Sequence, residues 1–291
     1  MLARSDCRNR VRIRRRDCIA KRNAIESLGG ALADTGRPLI VRSGVALLSP
    51  GRKATEDDVR DPNGPPFPRD PESVAAAVAA NGVRVSVIRL SPSVHGTGET
   101  HGFVPRVIEL AREHSKSAYI GSGENRWPGV HRRDAARLYC LVLERAAEHA
   151  VYHAVADEGV TFREIAEVIA RRLNVPLVSV EGEAVGAHFG EFAMFAQIDA
   201  YASSAKRGAR SGESRPKPRC SPISMVRRIF QPSSNPSVSY CAARTIRAAT
   251  SAGCEINEKW LAPISTVVDL ARVAKKRWSA GGIALSCVET A

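Results

Sequence analysis

No apolar run in this 291-residue chain reaches the roughly 18 residues that would span a bilayer, so no membrane-embedded segment is expected. None of its seven cysteines forms a C-x-x-C unit. Cys7 and Cys18 lie in the first 22 residues, Cys220, Cys241, Cys254 and Cys287 lie beyond residue 205, and Cys140 stands between them. An odd number without paired spacing supports neither a disulfide framework nor a zinc ribbon. A charged start leading into an apolar run, the mark of a secretory leader, is missing too. Asp6, Asp17 and the lack of a clear apolar face argue against an Arg-rich transit peptide. The expected setting is the reducing cytoplasm.

Acidic residues are scarce only at the two ends. The formal net charge is +13, which at first sight suggests a polyanionic partner. Residues 1–22 hold 9 basic and 2 acidic side chains, and residues 205–291 hold 15 and 5. The 182 residues between them hold 19 and 23. The cluster Arg8, Arg10, Arg12, Arg14, Arg15 and Arg16 lacks the interleaved aromatics on which bases stack. It reads as a solvated tail, and nucleic acid is not an expected partner. His131 with Asp134 makes no metal site, and no metal is expected.

The middle of the chain has the grammar of an α/β protein. Residues Ala24–Ala33 suit a helix, and the wholly apolar Pro38–Val41 suits a strand buried on both faces. Five prolines together with Glu56, Asp57 and Asp58 between Ser49 and Arg69 predict a long surface loop. Asp70 as N-cap, Pro71 at the first helical position and Asn81-Gly82 at the end frame a crossover helix, and Val83–Leu90 follows as a strand. A strand, helix, strand order of this kind implies a parallel pair. Helices are further expected over Phe103–Glu113, over Ala135 to Arg145 capped by Asp134, and after a Thr161-x-x-Glu164 capping box as far as Pro176. Ala118–Ile120 and Tyr152–Val155 read as short strands.

Beyond Ala205 the periodicity fades into Arg, Ser and Pro, too little apolar surface to offset the entropy of ordering. One later stretch, 255–278, is spaced like an amphipathic helix. The expected division is therefore a basic segment over 1–22, an α/β domain over 23–205 and a basic, largely irregular tail over 206–291. The expected class is α/β, with a partial Rossmann-like parallel sheet and crossover helices.

Four ordered strings carry a family resemblance: Ile40-Val41-Arg42-Ser43-Gly44, Arg89 to Gly96 (RLSPSVHG), Tyr119 to Pro128 (YIGSGENRWP) and Val130 to Leu138 (VHRRDAARL). Their order and spacing resemble atypical extended short-chain dehydrogenases/reductases of the NAD-dependent epimerase/dehydratase superfamily over about 180 residues. The resemblance implies NAD or NADP as cofactor and a small hydroxy or keto compound as substrate. It implies that Ser43 polarises the substrate oxygen, that Pro92 and Ser93 line the nicotinamide, and that His95, Arg126, Trp127 and His131 form the substrate-side wall.

Two features of such a protein do not appear in the sequence. No glycine-rich turn follows a strand and opens a helix, the geometry a pyrophosphate needs. Tyr119, Tyr139, Tyr152, Tyr201 and Tyr240 all lack Lys four residues on, so no Tyr-x-x-x-Lys base is present; by order the pair falls near Arg69 and Ser73. Oxidoreductase or epimerase chemistry is therefore expected of the family, and its retention in this chain is open. The alternatives are a truncated, non-catalytic gene remnant or a basic anion- or nucleic-acid-binding interaction protein. Oligomeric state is left open.

Overall fold

The computed structural model describes residues 19–48, 51–60, 70–99, 101–145, 149–204 and 284–286. The first helix, α1, covers 19–32 and so takes in the end of the basic segment. Strand β1 (Pro38–Gly44) then runs through α2 (Pro71–Ala80) to β2 (Arg84–Leu90). The cap works as the sequence dictates: the Asp70 carboxylate accepts the Ser73 N–H at 3.1 Å, and Pro71 takes a position where no amide donor is needed.

Strand β3 (Ser93–His95), α3 (Phe103–Glu113), β4 (Ser117–Ile120), β5 (Arg126–His131) and α4 (Arg132–Arg145) follow. Next come β6 (Val151–Ala154), β7 (Asp157–Thr161), α5 (Phe162–Leu173) and β8 (Leu177–Val180). Two short helices, α6 (Glu183–Phe189) and α7 (Ala193–Ala196), precede a strap over 198–204. The final strand β9 (Ala284–Ser286) comes from the tail. The rest of that tail, including the helix expected over 255–278, lies outside the described residues.

The central sheet has the order β6-β2-β1-β9, with every neighbouring pair parallel. Register partners on parallel strands share a face, so Leu39, Val41, Val85 and Val87 point one way and meet Ile25 and Leu32 of α1 and Val74 and Val78 of α2. Ile40 and Ile88 point the other way, toward Val130, Leu138 and Val142. Both faces are covered, which is why β1 and β2 read as continuous apolar runs. A second core joins α3 and α5 around Trp127, Phe162 and Phe189. The Thr161–Glu164 capping box forms, with the hydroxyl accepting the Glu164 N–H and the carboxylate accepting the Thr161 N–H.

Three expectations change. The sheet system is mixed: β3-β5-β7 is a separate layer in which β5 and β7 are antiparallel, and β4 pairs with β8. Short strands of two to four apolar positions, interrupted by Gly129 and Pro128, leave too little alternation to read. Asp134 lies inside the first turn of α4, and the Nδ1 of His131 instead accepts the Arg133 N–H at 3.3 Å. The loop after β1 is packed rather than merely exposed where it is described, since Ala54 and Glu56 are buried and Ala54 bridges to Ala202.

Candidate active site at the carboxyl edge of the sheet

Polar side chains gather where β1, β2 and β6 end. Ser43, Arg89 and His153 are register neighbours on successive strands, so they stand side by side on the α2 face. The Ser43 hydroxyl is buried and has no hydrogen-bond partner. Arg89 is 2% exposed yet fully engaged: Nε and Nη2 donate to the two carboxylate oxygens of Glu72 at 2.8 and 2.7 Å. Its Nη1 donates to the Asp58 carbonyl at 2.7 Å and stands 3.3 Å from His153 Nε2.

The His153 Nδ1 lies 2.7 Å from the Ser203 carbonyl, which can only accept, so the proton sits on Nδ1 and Nε2 offers its lone pair to Arg89. Burial holds this imidazole below its ordinary value, and the Arg89 charge adds to that, against the pull of the Ser203 carbonyl and of Glu56 and Glu72. Glu56 is 4% exposed and neither carboxylate oxygen has a hydrogen-bond partner.

The second cluster follows directly. Pro92 forms the bend between β2 and β3, and Ser93 is buried with its hydroxyl unpartnered. His95 and His131 are register partners on β3 and β5, and their rings meet edge to face at 5.9 Å. Arg132 lies against Gly96 and donates to the Thr97 carbonyl at 2.7 Å. Burial pushes the nearby Glu99 carboxyl up to about 8, against opposing pulls from Gly96 and Arg132, so it holds its proton at neutral pH.

That shift has a measurable sign. The unfolded chain releases the Glu99 proton above its ordinary 4.5 and the folded chain only near 8. The stability this group confers is present below the lower value and is lost as pH rises through the upper one. Thermal melts across that window should fall more steeply for the parent than for Glu99→Gln, and parallel curves would contradict the assignment.

Arg126 and Trp127 serve the framework. Trp127 is 1% exposed and packs against Phe103 at 5.6 Å, Phe162 at 4.9 Å and Phe192 at 6.1 Å. Arg126 pairs bidentately with Asp199 on the strap. The strap itself crosses the sheet edge, since the Ser204 hydroxyl donates to the Val155 carbonyl and Ala54 N–H to the Tyr201 carbonyl. No local spacing announces Arg89, Glu72, Glu56, His153 or Asp199, because the side-chain pairs they form span 17 to 73 positions.

Among the described residues no phosphate cradle forms. The glycine turns that come nearest are filled by the chain itself: a Cβ on Gly96 would lie 2.6 Å from Arg132 Nε, and one on Gly123 would lie 2.7 Å from both Arg163 and Tyr119 side chains. The first turn leaves no room for a pyrophosphate against the backbone, and the second leads into strand β5 and not into a helix N-terminus. The described residues therefore do not fit a dinucleotide's phosphates. His149 and His153 stand four apart, but the first precedes strand β6 and the second lies within it, not on a helix turn, and no group of three metal-ligating side chains exists among the described residues. No helix there is long and apolar enough to cross a membrane.

Comparison with known proteins agrees with this fold. Residues 72–156 match the model of the NAD dependent epimerase/dehydratase family. An uncharacterized protein of Schizosaccharomyces pombe is 43% identical over 196 residues, which is 67% of this chain and 66% of that protein. An uncharacterized protein of Saccharomyces cerevisiae is 36% identical over 187 residues, 64% of this chain and 62% of that one. The chain thus spans a little under two thirds of the length of these curated relatives. In fold, it is similar to dTDP-glucose 4,6-dehydratase of Bacillus anthracis in complex with NAD, with a TM-score of 0.54 at 19% identity over 70% of this chain and 65% of that one. With the ordered strings, the family match and the parallel sheet in agreement, the chain belongs to the NAD-dependent epimerase/dehydratase family.

Proposed function

We propose that the described residues are the substrate-holding side of an NAD(P)-dependent oxidoreductase acting on a small hydroxy or keto compound. The dinucleotide's phosphates would be held by residues other than those described. One observation carries this reading: Ser43 presents a buried, unpartnered hydroxyl at the carboxyl end of β1, where α/β sheets bind their ligands. An unsatisfied buried donor costs stability unless a ligand uses it, and a hydroxyl suits an oxygen on which charge develops. Pro92 and Ser93 would line the nicotinamide side, and His95 and His131 the substrate wall. The packing of Trp127 and the pairing of Arg126 make them supports of that wall.

The test follows NADH and NADPH absorbance in the full chain with glyceraldehyde, methylglyoxal and diacetyl. The expected result is turnover that falls about 10²–10³-fold in Ser43→Ala, with an unchanged melting temperature. If neither nucleotide is consumed and neither changes fluorescence at about millimolar concentration, typical of the weakest specific binding, the non-catalytic alternative stands.

A further inference from the structure

We propose that Asp199 is a specificity-determining residue that reserves the Arg126 end of the site for uncharged polar compounds. The inference rests on the substrate-holding reading above. Arg126 opens β5 and presents a guanidinium fork, the shape that grips carboxylates and phosphates bidentately. In this chain the fork is already filled. Asp199 Oδ1 accepts the Arg126 backbone N–H at 2.9 Å and Nε at 3.1 Å, and Oδ2 accepts Nη2 at 3.0 Å and the Gly51 N–H at 3.2 Å. Each carboxylate oxygen thus holds two donors.

One face of the guanidinium is covered by the Tyr201 ring at 4.3 Å, and Lys53 approaches the same ring at 5.6 Å while pairing with Glu158. The Asn125 side-chain amide donates to the Ile198 carbonyl at 3.1 Å and Ala200 N–H to the Arg126 carbonyl, so the strap that delivers Asp199 is fastened on both sides of it. Burial pushes the Asp199 carboxyl up, but its hydrogen bonds to Arg126 and the charge of that residue outweigh it and leave the group below its ordinary value.

An anionic ligand would have to displace a carboxylate tethered at high effective concentration. A neutral hydroxy or keto compound has no such competitor. Lys53, the cation that shares the Tyr201 ring with Arg126, offers no substitute, because it is paired with Glu158.

Calorimetric titration of the full chain with inorganic pyrophosphate tests this, with the Arg126→Gln protein as the baseline for binding elsewhere on a basic chain. The parent should show no heat beyond that baseline. Asp199→Asn or Asp199→Ser should bind pyrophosphate at least about tenfold more tightly than the parent, as an unmasked charge-assisted fork requires. Adding Arg126→Gln should abolish the gain. Arg126-dependent binding by the parent, or silence of both Asp199 variants, overturns the proposal. The titration reads anion binding and not turnover, so a chain that never consumes a nicotinamide cofactor still gives an answer.

Discussion

Glu72→Ala is expected to lower the unfolding free energy by about 3 kcal/mol, the low end of the range for breaking a buried pair by removing one partner. The low end applies because the Glu72 side chain is 27% exposed, whereas Arg89 is 2% exposed. Removing the carboxylate strands a guanidinium under α2 with only the Asp58 carbonyl and a neutral His153 as acceptors. The opposite substitution, Arg89→Met, leaves a carboxylate that water reaches and should cost less. Urea denaturation of the two variants checks the order. Equal losses would mean that Arg89 acts through packing rather than through its charge.

Trp127→Ala should be as damaging or more so, about 3–5 kcal/mol, because the indole fills the space among Phe103, Phe162 and Phe192 and the surrounding helices can collapse only in part. A residue that merely lined a substrate wall would cost activity and leave the melting temperature alone. The same denaturation series therefore separates the two roles. A loss below about 1 kcal/mol, the scale of a surface substitution, would place Trp127 outside the core.

What the chain reveals before folding follows the range of each interaction. Asp70-Pro71 and Thr161-x-x-Glu164 act within one helical turn, so both helix starts are readable from the residues alone. Leu39, Ile40 and Val41 announce a strand covered on both faces for the same reason, since burial on each side removes alternation. The mixed β3-β5-β7 layer is different. Ser93–His95 has three residues, and β5 contains Pro128 and Gly129, so the layer depends on pairing between distant segments.

The site divides in the same way. Ser43, Ser93, His95 and His131 can be located by family resemblance, because they sit in ordered strings at strand ends. The structure brings His95 and His131 together and places Ser43 one strand away from Arg89. The electrostatic partners are invisible to that reasoning: Asp199 meets Arg126 from 73 residues away, and Glu56 looks like one acid among several in a proline-rich loop. Asp134 shows the hazard of local rules, since a good capping residue lies inside the first turn of α4 while the His131 ring accepts the Arg133 N–H ahead of it.

The pairing of β9 with β1 bears on how this protein is made. Leu39–Val41 leaves the ribosome long before Ala284–Ser286, which pairs beside it. At about 5–20 residues per second, the roughly 240 intervening residues take some tens of seconds, an interval in which one flank of an apolar strand waits without its neighbour. Nascent chains crowded on one message would be vulnerable to pairing with each other during that delay, and a chaperone that shields extended apolar segments would act on this protein early in its synthesis.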